Sequence, residues 1–386
     1  MRKGIYILIC VFLIYWIATL FVPAIIEKVS NPVKSPPPHE VSKEASDLFN
    51  SLDFVADLHC DALLWGRDLS KRSDYGHVDF PRMQEGNIAL QVFTIVSKSP
   101  KGQNMEINSA DAMDNITFLN IAQGRPISNW FSLMNRTIYQ SYKLREYSKN
   151  FNNEFILIKS KDDVLNLIEA RKTNKKIIAG LLGIEGAHAL EGDMQNLEEV
   201  YEAGVRLIGP MHFFDNEMGG SAHGVSGDGL TDFGKQVIKR MNELNMIIDM
   251  AHVSPKMFDD ILEYSEKPVL VSHTGIRAVV NSPRNLSDEQ IRKLAAKGGI
   301  VGIAFFDKVV GENEIEGIVA SIKRVKNLVG IEHVALGSDY DGSVAVPFDI
   351  LGFPIIVEAL MQEGFSEDEI RAIMGENVKR FLLENL

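Results

Sequence analysis

The sequence predicts an α/β protein, a (β/α)8 barrel of the TIM type preceded by an N-terminal apolar segment. Three observations lead there. Between residues 46 and 386, short apolar strand-like runs alternate with amphipathic helical stretches, the rhythm of a parallel sheet. The runs number eight, as a closed barrel of this kind requires. Polar residues, His59, Asp61, Glu185, His212, His252, His273 and Asp339, fall at the C-terminal ends of those runs, and in a barrel those ends share one face. A doubly wound open sheet competes, but no Gly-rich dinucleotide fingerprint follows the first run.

Taken in order, the chain begins with "MRK" and then carries no charge from Gly4 to Ile26, more than the roughly 20 residues that cross a bilayer core. Arg2 and Lys3 favour a cytoplasmic N-terminus. Residues 1–30 are therefore expected to be a single-pass signal anchor in the inner (cell) membrane, with the rest of the chain on the periplasmic or extracytoplasmic side. "VPA", ending at Ala24, is a passable cleavage site, but the apolar stretch exceeds the roughly 7–15 residues of a secretory signal. Residues 31–45, including "SNPVKSPPPHE", read as a Pro-rich extended spacer that holds the following domain off the bilayer.

The strand candidates of the barrel, residues 46–386, are "FVADLH" (54–59), "IALQVFTIV" (88–96), "KIIAGLLGIE" (176–185), "VRLIGPMH" (205–212), "MIIDMAH" (246–252), "PVLVSH" (268–273), "GIVGIAF" (299–305) and "HVALGSD" (333–339). Helix starts are marked by capping boxes at Ser287/Gln290 and Ser366/Glu369, and by Ser254 before Pro255. The stretch from Ser97 to Asn150, with Trp130 and "YQSYKLREYSKN", is long for a βα connection. It is expected to shape the mouth of the barrel or to form an oligomer contact, which leaves a homodimer open.

Composition removes some partners. A net charge of −12, from 52 acidic against 40 basic residues with no Lys/Arg block, argues against nucleic acid. The two cysteines, Cys10 and Cys60, would join a membrane segment to a strand, so their number indicates no redox compartment. "NIT", "NRT" and "NLS" match glycosylation acceptors that matter only in a eukaryotic host.

Side chains two apart on a strand point the same way, so His59 and Asp61 face one site. Asp57, one step deeper, would either orient a ligand imidazole or hold a neighbouring backbone amide. Alone, His252 after "IIDMA" or His273 after "PVLVS" is an ordinary strand-end histidine. Together the histidines at separate strand ends, with carboxylates and without thiolates, suit Zn²⁺ or a similar first-row metal in a catalytic site. A carboxylate such as Glu185 can bridge two ions and hold a hydroxide between them.

The motifs "DLHCDA", "HVDFPRMQEGNIALQVF", "GIEGAH", "IIDMAHVS", "VSHTGIRAVVNSPRNLSDEQ" and "HVALGSDYDG" resemble, in order and spacing, the membrane dipeptidase (renal dipeptidase) family of binuclear zinc hydrolases, related to the amidohydrolase barrels. The resemblance implies an enzyme, a zinc metallopeptidase with two Zn²⁺ per chain. His59 and Asp61 would bind one ion, His252 and His273 the other, and Glu185 both. It further implies that His212 contacts the substrate carbonyl and its oxyanion, that Arg284 holds a dipeptide's carboxylate, and that Asp339 is the acid/base. A metal-bridging hydroxide would attack the amide carbonyl, with a D-residue tolerated at the second position. Without the resemblance, Arg284 reads as a salt-bridge partner of Asp288 or Glu289.

The sequence also departs from the family. "FFDNEMGGSAHGVSGDGLTDFG" (213–234) is glycine-rich, carries His223, and is expected to be a lid or pocket wall rather than a plain surface loop. "AFFDKVV" (304–310) stands where the mammalian enzymes have asparagine and tyrosine. Two further readings stay open: a membrane-anchored periplasmic tailoring enzyme that matures a peptide metabolite such as a siderophore, and a noncatalytic binding barrel.

Overall fold

All eight apolar runs form strands, and they pair in parallel. The computed structural model describes residues 2–151 and 154–386, without the side chains at positions 2, 4, 8, 11 and 14. Among these residues the strands are β1 (Ala56–Cys60), β2 (Leu90–Val96), β3 (Phe155–Ile158), β4 (Ile178–Glu185), β5 (Val205–Gly209), β6 (Ile247–Ile248), β7 (Leu270–Thr274), β8 (Ile300–Ile303) and β9 (Val334–Leu336). β3 was not expected. Its "FILI" is too short for periodicity to separate strand from helix. It pairs with the first half of β4, and β5 pairs with the second half.

One sheet has the order β1-β2-β4-β5-β6 and the other β7-β8-β9, and together they curl into a half-barrel. Single parallel bridges, Asp249↔Leu270 and Cys60↔Tyr340, link the two sheets at their edges. Regular pairing stops at these seams because a buried aspartate side chain takes the backbone donor. Asp249 Oδ1 accepts the Ser272 amide at 2.8 Å, and Asp57 Oδ1 accepts the Ser338 amide at 2.7 Å. Each aspartate's other oxygen accepts the hydroxyl of the same serine. Asp57 thus holds a backbone amide and orients no ligand imidazole, the second of its two readings.

Leu58, Val92, Ile158, Leu181, Leu207, Ile247, Leu270, Ile300 and Ala335, one from each strand, belong to a single buried cluster. Phe381 and Leu382 of the C-terminal helix Asn377–Asn385 complete it. This floor fills the middle of the curled sheet, so a site has room only at the strands' C-terminal ends. Register shifts between Asp57 and Cys60 in β1 and between Val271 and Thr274 in β7 re-aim the residues that follow, His59 and His273 among them. Both expected capping boxes form, and Ser254 caps the helix that starts at Pro255.

The first helices are α1 (Arg2–Ser30), α2 (Lys43–Ser51), α3 (Phe80–Glu85), α4 (Asn115–Ala122), α5 (Ser128–Phe131) and α6 (Leu133–Lys149). α1 is a helix where the anchor is expected, but among the described residues no helix is long and apolar enough to cross a membrane. The spacer does not hold the domain away. Val33 bridges Val346, and the amides of Lys34 and Ser35 donate to the carbonyls of Val346 and Pro347 at 2.9 Å. Just before it, Glu27 is buried in an ion pair with Arg67, which also pairs with Asp341. Tyr15 Oη donates to the Ile121 carbonyl at 2.8 Å, so the second half of α1 lies along α4. A proline-rich stretch that satisfies its backbone groups on the domain is a strap, not a spacer.

Candidate metal centre

β1, β4 and β7 deliver His59, Glu185 and His273 at or near their C-terminal ends. His212 lies three residues past β5, His252 four past β6 and Asp339 three past β9. The short strands explain that delay: once Asp249 and Asp57 take the ladder donors, the chain leaves the sheet early. His252 and Asp339 both sit in the left-handed region, at φ 64° and 65°, an uncommon conformation for residues with a Cβ that favours re-aimed functional side chains.

The side chains converge on Glu185. Its Oε1 is 3.1 Å from His252 Nε2, 3.4 Å from His273 Nε2 and 3.5 Å from His59 Nε2, while Oε2 is 3.3 Å from His212 Nε2. Asp61 Oδ1 is 3.6 Å and Asp339 Oδ1 4.0 Å from His59 Nε2. Three groups have donor atoms close enough to share an ion: His59/Asp61/Glu185, Glu185/His212/His252 and His59/His273/Asp339. The structure therefore brings together seven residues expected at the site, and Arg284 lines the same cavity of about 310 Å³.

The tautomers can be read from one serine. Ser272 Oγ donates to Asp249 Oδ2 at 2.5 Å, so its lone pairs must accept from the Nδ1 atoms of His59, at 3.0 Å, and His273, at 2.9 Å. Both imidazoles then turn a bare Nε2 toward Glu185. His252 Nε2 stands 3.1 Å from His273 Nε2. Two imidazole lone pairs, a third Nε2 beside them and three carboxylates close by are a donor set that a divalent cation fits.

Electrostatics agree. Burial would raise the Glu185 pKa, but His212 and His59 hold the carboxyl well below its ordinary range. Burial would lower that of His59, yet Glu185 and Asp61 lift it well above the usual imidazole value, a proton standing where a cation would. Burial, with Arg284 nearby, pushes His252 well down, and burial, with His59 nearby, does the same to His273. Burial raises Asp339 well above the carboxylate range, and the charges of Glu185 and Asp61 add to this against those of His59 and Arg284.

Sequence reading missed Asp249, Ser272 and Thr94, whose hydroxyl donates to Asp61 Oδ1 at 2.6 Å. The signal for Asp249 was an acidic residue inside the apolar run "MIIDMA"; Ser272 and Thr94 carried none. We expect Ser272→Ala to weaken metal affinity about 10–100-fold, the usual effect of removing a group that orients ligands. Competition with a chromogenic chelator reads this, and unchanged affinity would remove the serine from the centre.

A proton on His59 must leave before a cation binds, and in the metal-free protein its pKa lies above the ordinary value. Affinity should therefore fall as pH falls, about tenfold per unit for one proton, with the decline beginning above the usual imidazole range of about 6.5. Titration calorimetry in buffers of different ionisation enthalpy counts the proton released. Affinity that stays flat through neutral pH would contradict it.

The cavity walls come from the two loops whose roles were open. Phe213 and Met105 line it, and His223 stacks on Phe213 at 4.7 Å while its Nδ1 donates to the Met105 carbonyl at 2.8 Å. Asp215 accepts the amides of Ser221, Val225 and Ser226, which folds the glycine-rich loop into a wall. Ser99, Gln103 and Ile116 place the long segment after β2 at the mouth. From "AFFDKVV", Phe306, Asp307 and Lys308 face the cavity and Phe305 is buried in aromatic packing.

A parallel sheet that gathers imidazoles and carboxylates over its C-terminal ends defines an α/β metal-dependent hydrolase. Residues 43–385 match the family model for membrane dipeptidases, peptidase family M19, and the chain belongs to that family. It is an enzyme of the dipeptidase-type metallohydrolases. It is 29% identical over 318 residues to the dipeptidase tcpJ of Claviceps purpurea, covering 80% of this chain and 69% of that one. Its fold is similar to a metallopeptidase of Rhodobacter sphaeroides liganded with a phosphinate mimic of L-Ala-D-Ala: TM-score 0.72, 24% identity, 87% of this chain and 100% of that one. It is also similar to the probable dipeptidase PvdM of Pseudomonas aeruginosa: TM-score 0.74, 19% identity, 89% and 97%.

Proposed function

We propose that this enzyme holds two zinc ions and hydrolyses dipeptides that carry a free carboxylate, including those with a D-residue at the second position. The observation that carries the reading is the meeting of bare Nε2 atoms and carboxylates around Glu185, at 3.1–3.5 Å, in a cavity that also presents Arg284. His59 and Asp61 would hold one ion, His252 and His273 the other, and Glu185 would touch both. Bound there, the pair supplies Lewis acidity and a water of lowered pKa.

The chain's own groups do the rest. His212 donates Nδ1–H to the Lys98 carbonyl at 3.3 Å, which turns Nε2 toward Glu185, where the ring meets the scissile carbonyl oxygen as charge develops. Asp339 also stands within reach of His59 and His273, but its raised pKa suits a group that keeps a proton and passes it to the leaving amine. Arg284, buried and facing the cavity, offers a planar fork to the terminal carboxylate. A clamp that reads only the carboxylate is indifferent to the configuration beside it, hence the tolerance of a D-residue.

The curled sheet is read as a closed (β/α)8 barrel, its seams completed by the aspartate–serine pairs. α1 is read as an anchor in the cell membrane with the barrel outside, on the strength of its uncharged stretch from Gly4 to Ile26. Release of the intact protein from membranes by alkaline wash, or a mature N-terminus at Ile25, would end that part.

The test of function is a panel of L,L and L,D dipeptides, tripeptides and amidated dipeptides, with elemental analysis of the purified protein. About two zinc ions per chain and cleavage confined to free dipeptides are expected. Equal cleavage of tripeptides would defeat the reading. No turnover of any member by zinc-loaded protein would transfer it to a tailoring enzyme with a dedicated peptide substrate.

A further inference from the structure

We propose that a second hollow, beside the catalytic cavity and between the end of α1 and α4, binds an aliphatic chain carried on the amino side of the substrate. The proposal rests on the dipeptide reading for the direction in which the substrate lies. The hollow measures about 510 Å³ and shares Leu64, Ser99, Gln103, Ile116 and Ser343 with the wall of the catalytic cavity, so the two lie side by side. Its own walls add Ile26, Trp65, Phe118, Leu119 and Ala122. Behind it Leu64, Trp65, Val96, Ile116 and Leu119 form a separate buried apolar cluster against which Ile26 packs.

Its position gives the direction. Counted through the two seam bridges and leaving out β3, β2 and β7 stand four places apart either way round. Arg284, which follows β7 and donates to the His273 carbonyl, is thus across the mouth from Val96, Ser99 and Ile116, which end or follow β2. A substrate clamped at Arg284 by its carboxylate points its amino end toward the hollow.

The lining gives the chemistry. Several of the polar groups there are already engaged: Trp65 Nε1 donates to the Asp341 carbonyl, the Asn115 side-chain amide to the Pro100 carbonyl, and Ser99 Oγ to Gln103 Oε1, which leaves chiefly the Ser30 and Ser343 hydroxyls and the Gln103 amide nitrogen to meet a polar ligand. An extended peptide laid in the hollow would bury most of its amides without partners, whereas an aliphatic chain only removes apolar surface from water. Two of its wall residues, Ile26 and Ser30, lie before residue 43, where the family match begins.

An aliphatic chain could equally come from a bilayer lipid, and tryptophan quenching separates the sources. The chain has three tryptophans. Full-length protein with Trp16→Phe and Trp130→Phe, placed in nanodiscs, leaves Trp65 as the only reporter. The probes are a dipeptide with its scissile amide reduced and a dibromostearoyl group on its amino end, and a phosphatidylcholine brominated at the same carbons. The dipeptide probe should quench Trp65 saturably, and Ala122→Phe, which fills the hollow, should weaken its apparent Kd at least tenfold with unchanged circular dichroism and metal content. No saturable quenching, quenching by the phospholipid alone, or indifference to Ala122→Phe would overturn the proposal. Because the readout needs no turnover, saturable quenching in a protein inactive on dipeptides would leave the hollow standing and remove only the dipeptidase reading.

Discussion

Arg284→Ala lowers kcat/KM for a free dipeptide by about 2–5 kcal/mol of transition-state stabilisation, and that for the matching dipeptide amide far less. The expectation rests on what Arg284 lacks. It is buried, and among the described residues it forms no ion pair; the one side-chain partner it has there is the His273 carbonyl, to which Nη2 donates at 2.6 Å. The two carboxylates that could have claimed it are taken, Asp288 by Arg324 and Glu289 by Lys293. Burial lowers its pKa, the mark of a charge kept out of water without a partner in contact, although Asp339 and Glu185 offset part of this from a distance. A substrate carboxylate would supply that partner, and a guanidinium with its carboxylate in a dry site is worth several times an exposed pair. Because Arg284 also holds the His273 carbonyl, its loss has a structural side that would damage every substrate alike. The amidated dipeptide isolates it: kcat/KM for the amide reports the structural loss, and the excess for the free acid reports the clamp. Arg284→Lys should recover part of that excess, since it keeps the charge and loses the fork. Equal losses for acid and amide would remove the clamp and with it the limit to dipeptides.

Much of this was legible in the sequence because burial on both faces leaves nearly continuous apolar runs, and six of the eight runs end in a polar residue that has no structural reason to be there. His59, Glu185 and His273 could be placed by strand periodicity alone. His252 and Asp339 could be named but not placed, since both stand in left-handed backbone beyond strands shorter than their apolar runs. The cause of that shortening, Asp57 and Asp249 substituting for ladder acceptors at the seams, depends on which strand faces which and leaves no local signature. Ser272 illustrates the same limit. It precedes His273 in the chain, yet its weight comes from reaching His59 across the site. The docking of residues 27–35 leaves no local signature for a similar reason: proline-rich composition reports stiffness, whereas the partners Arg67, Ser343 and Val346 are far along the chain.

If the pair of zinc ions is held as proposed, Glu185→Gln should reduce bound zinc to one ion per chain or none and turnover on the order of 10³-fold, several kcal/mol of lost Lewis-acid stabilisation. Among the described residues Glu185 is the only carboxylate whose two oxygens both reach imidazoles at the site, Oε1 toward His59, His252 and His273 and Oε2 toward His212. It is also shared by two of the three groups able to hold an ion. Glutamine keeps the volume and one oxygen but loses the charge, and its amide nitrogen brings two hydrogens into a space where the imidazoles already present lone pairs. Donation from that nitrogen to an Nε2 atom would occupy the electron pair a cation needs, so the substitution blocks the site as well as weakening it. Asp61→Asn should do less, because Asp61 belongs to one candidate group, holds Thr94, and leaves Glu185 in place. Elemental analysis, a thermal melt and dipeptide turnover on both variants separate loss of metal from loss of fold. If Glu185→Gln retained two zinc ions and wild-type turnover, the ions would have to be held by the residues around Glu185 without it, and the reading of a shared carboxylate would be wrong.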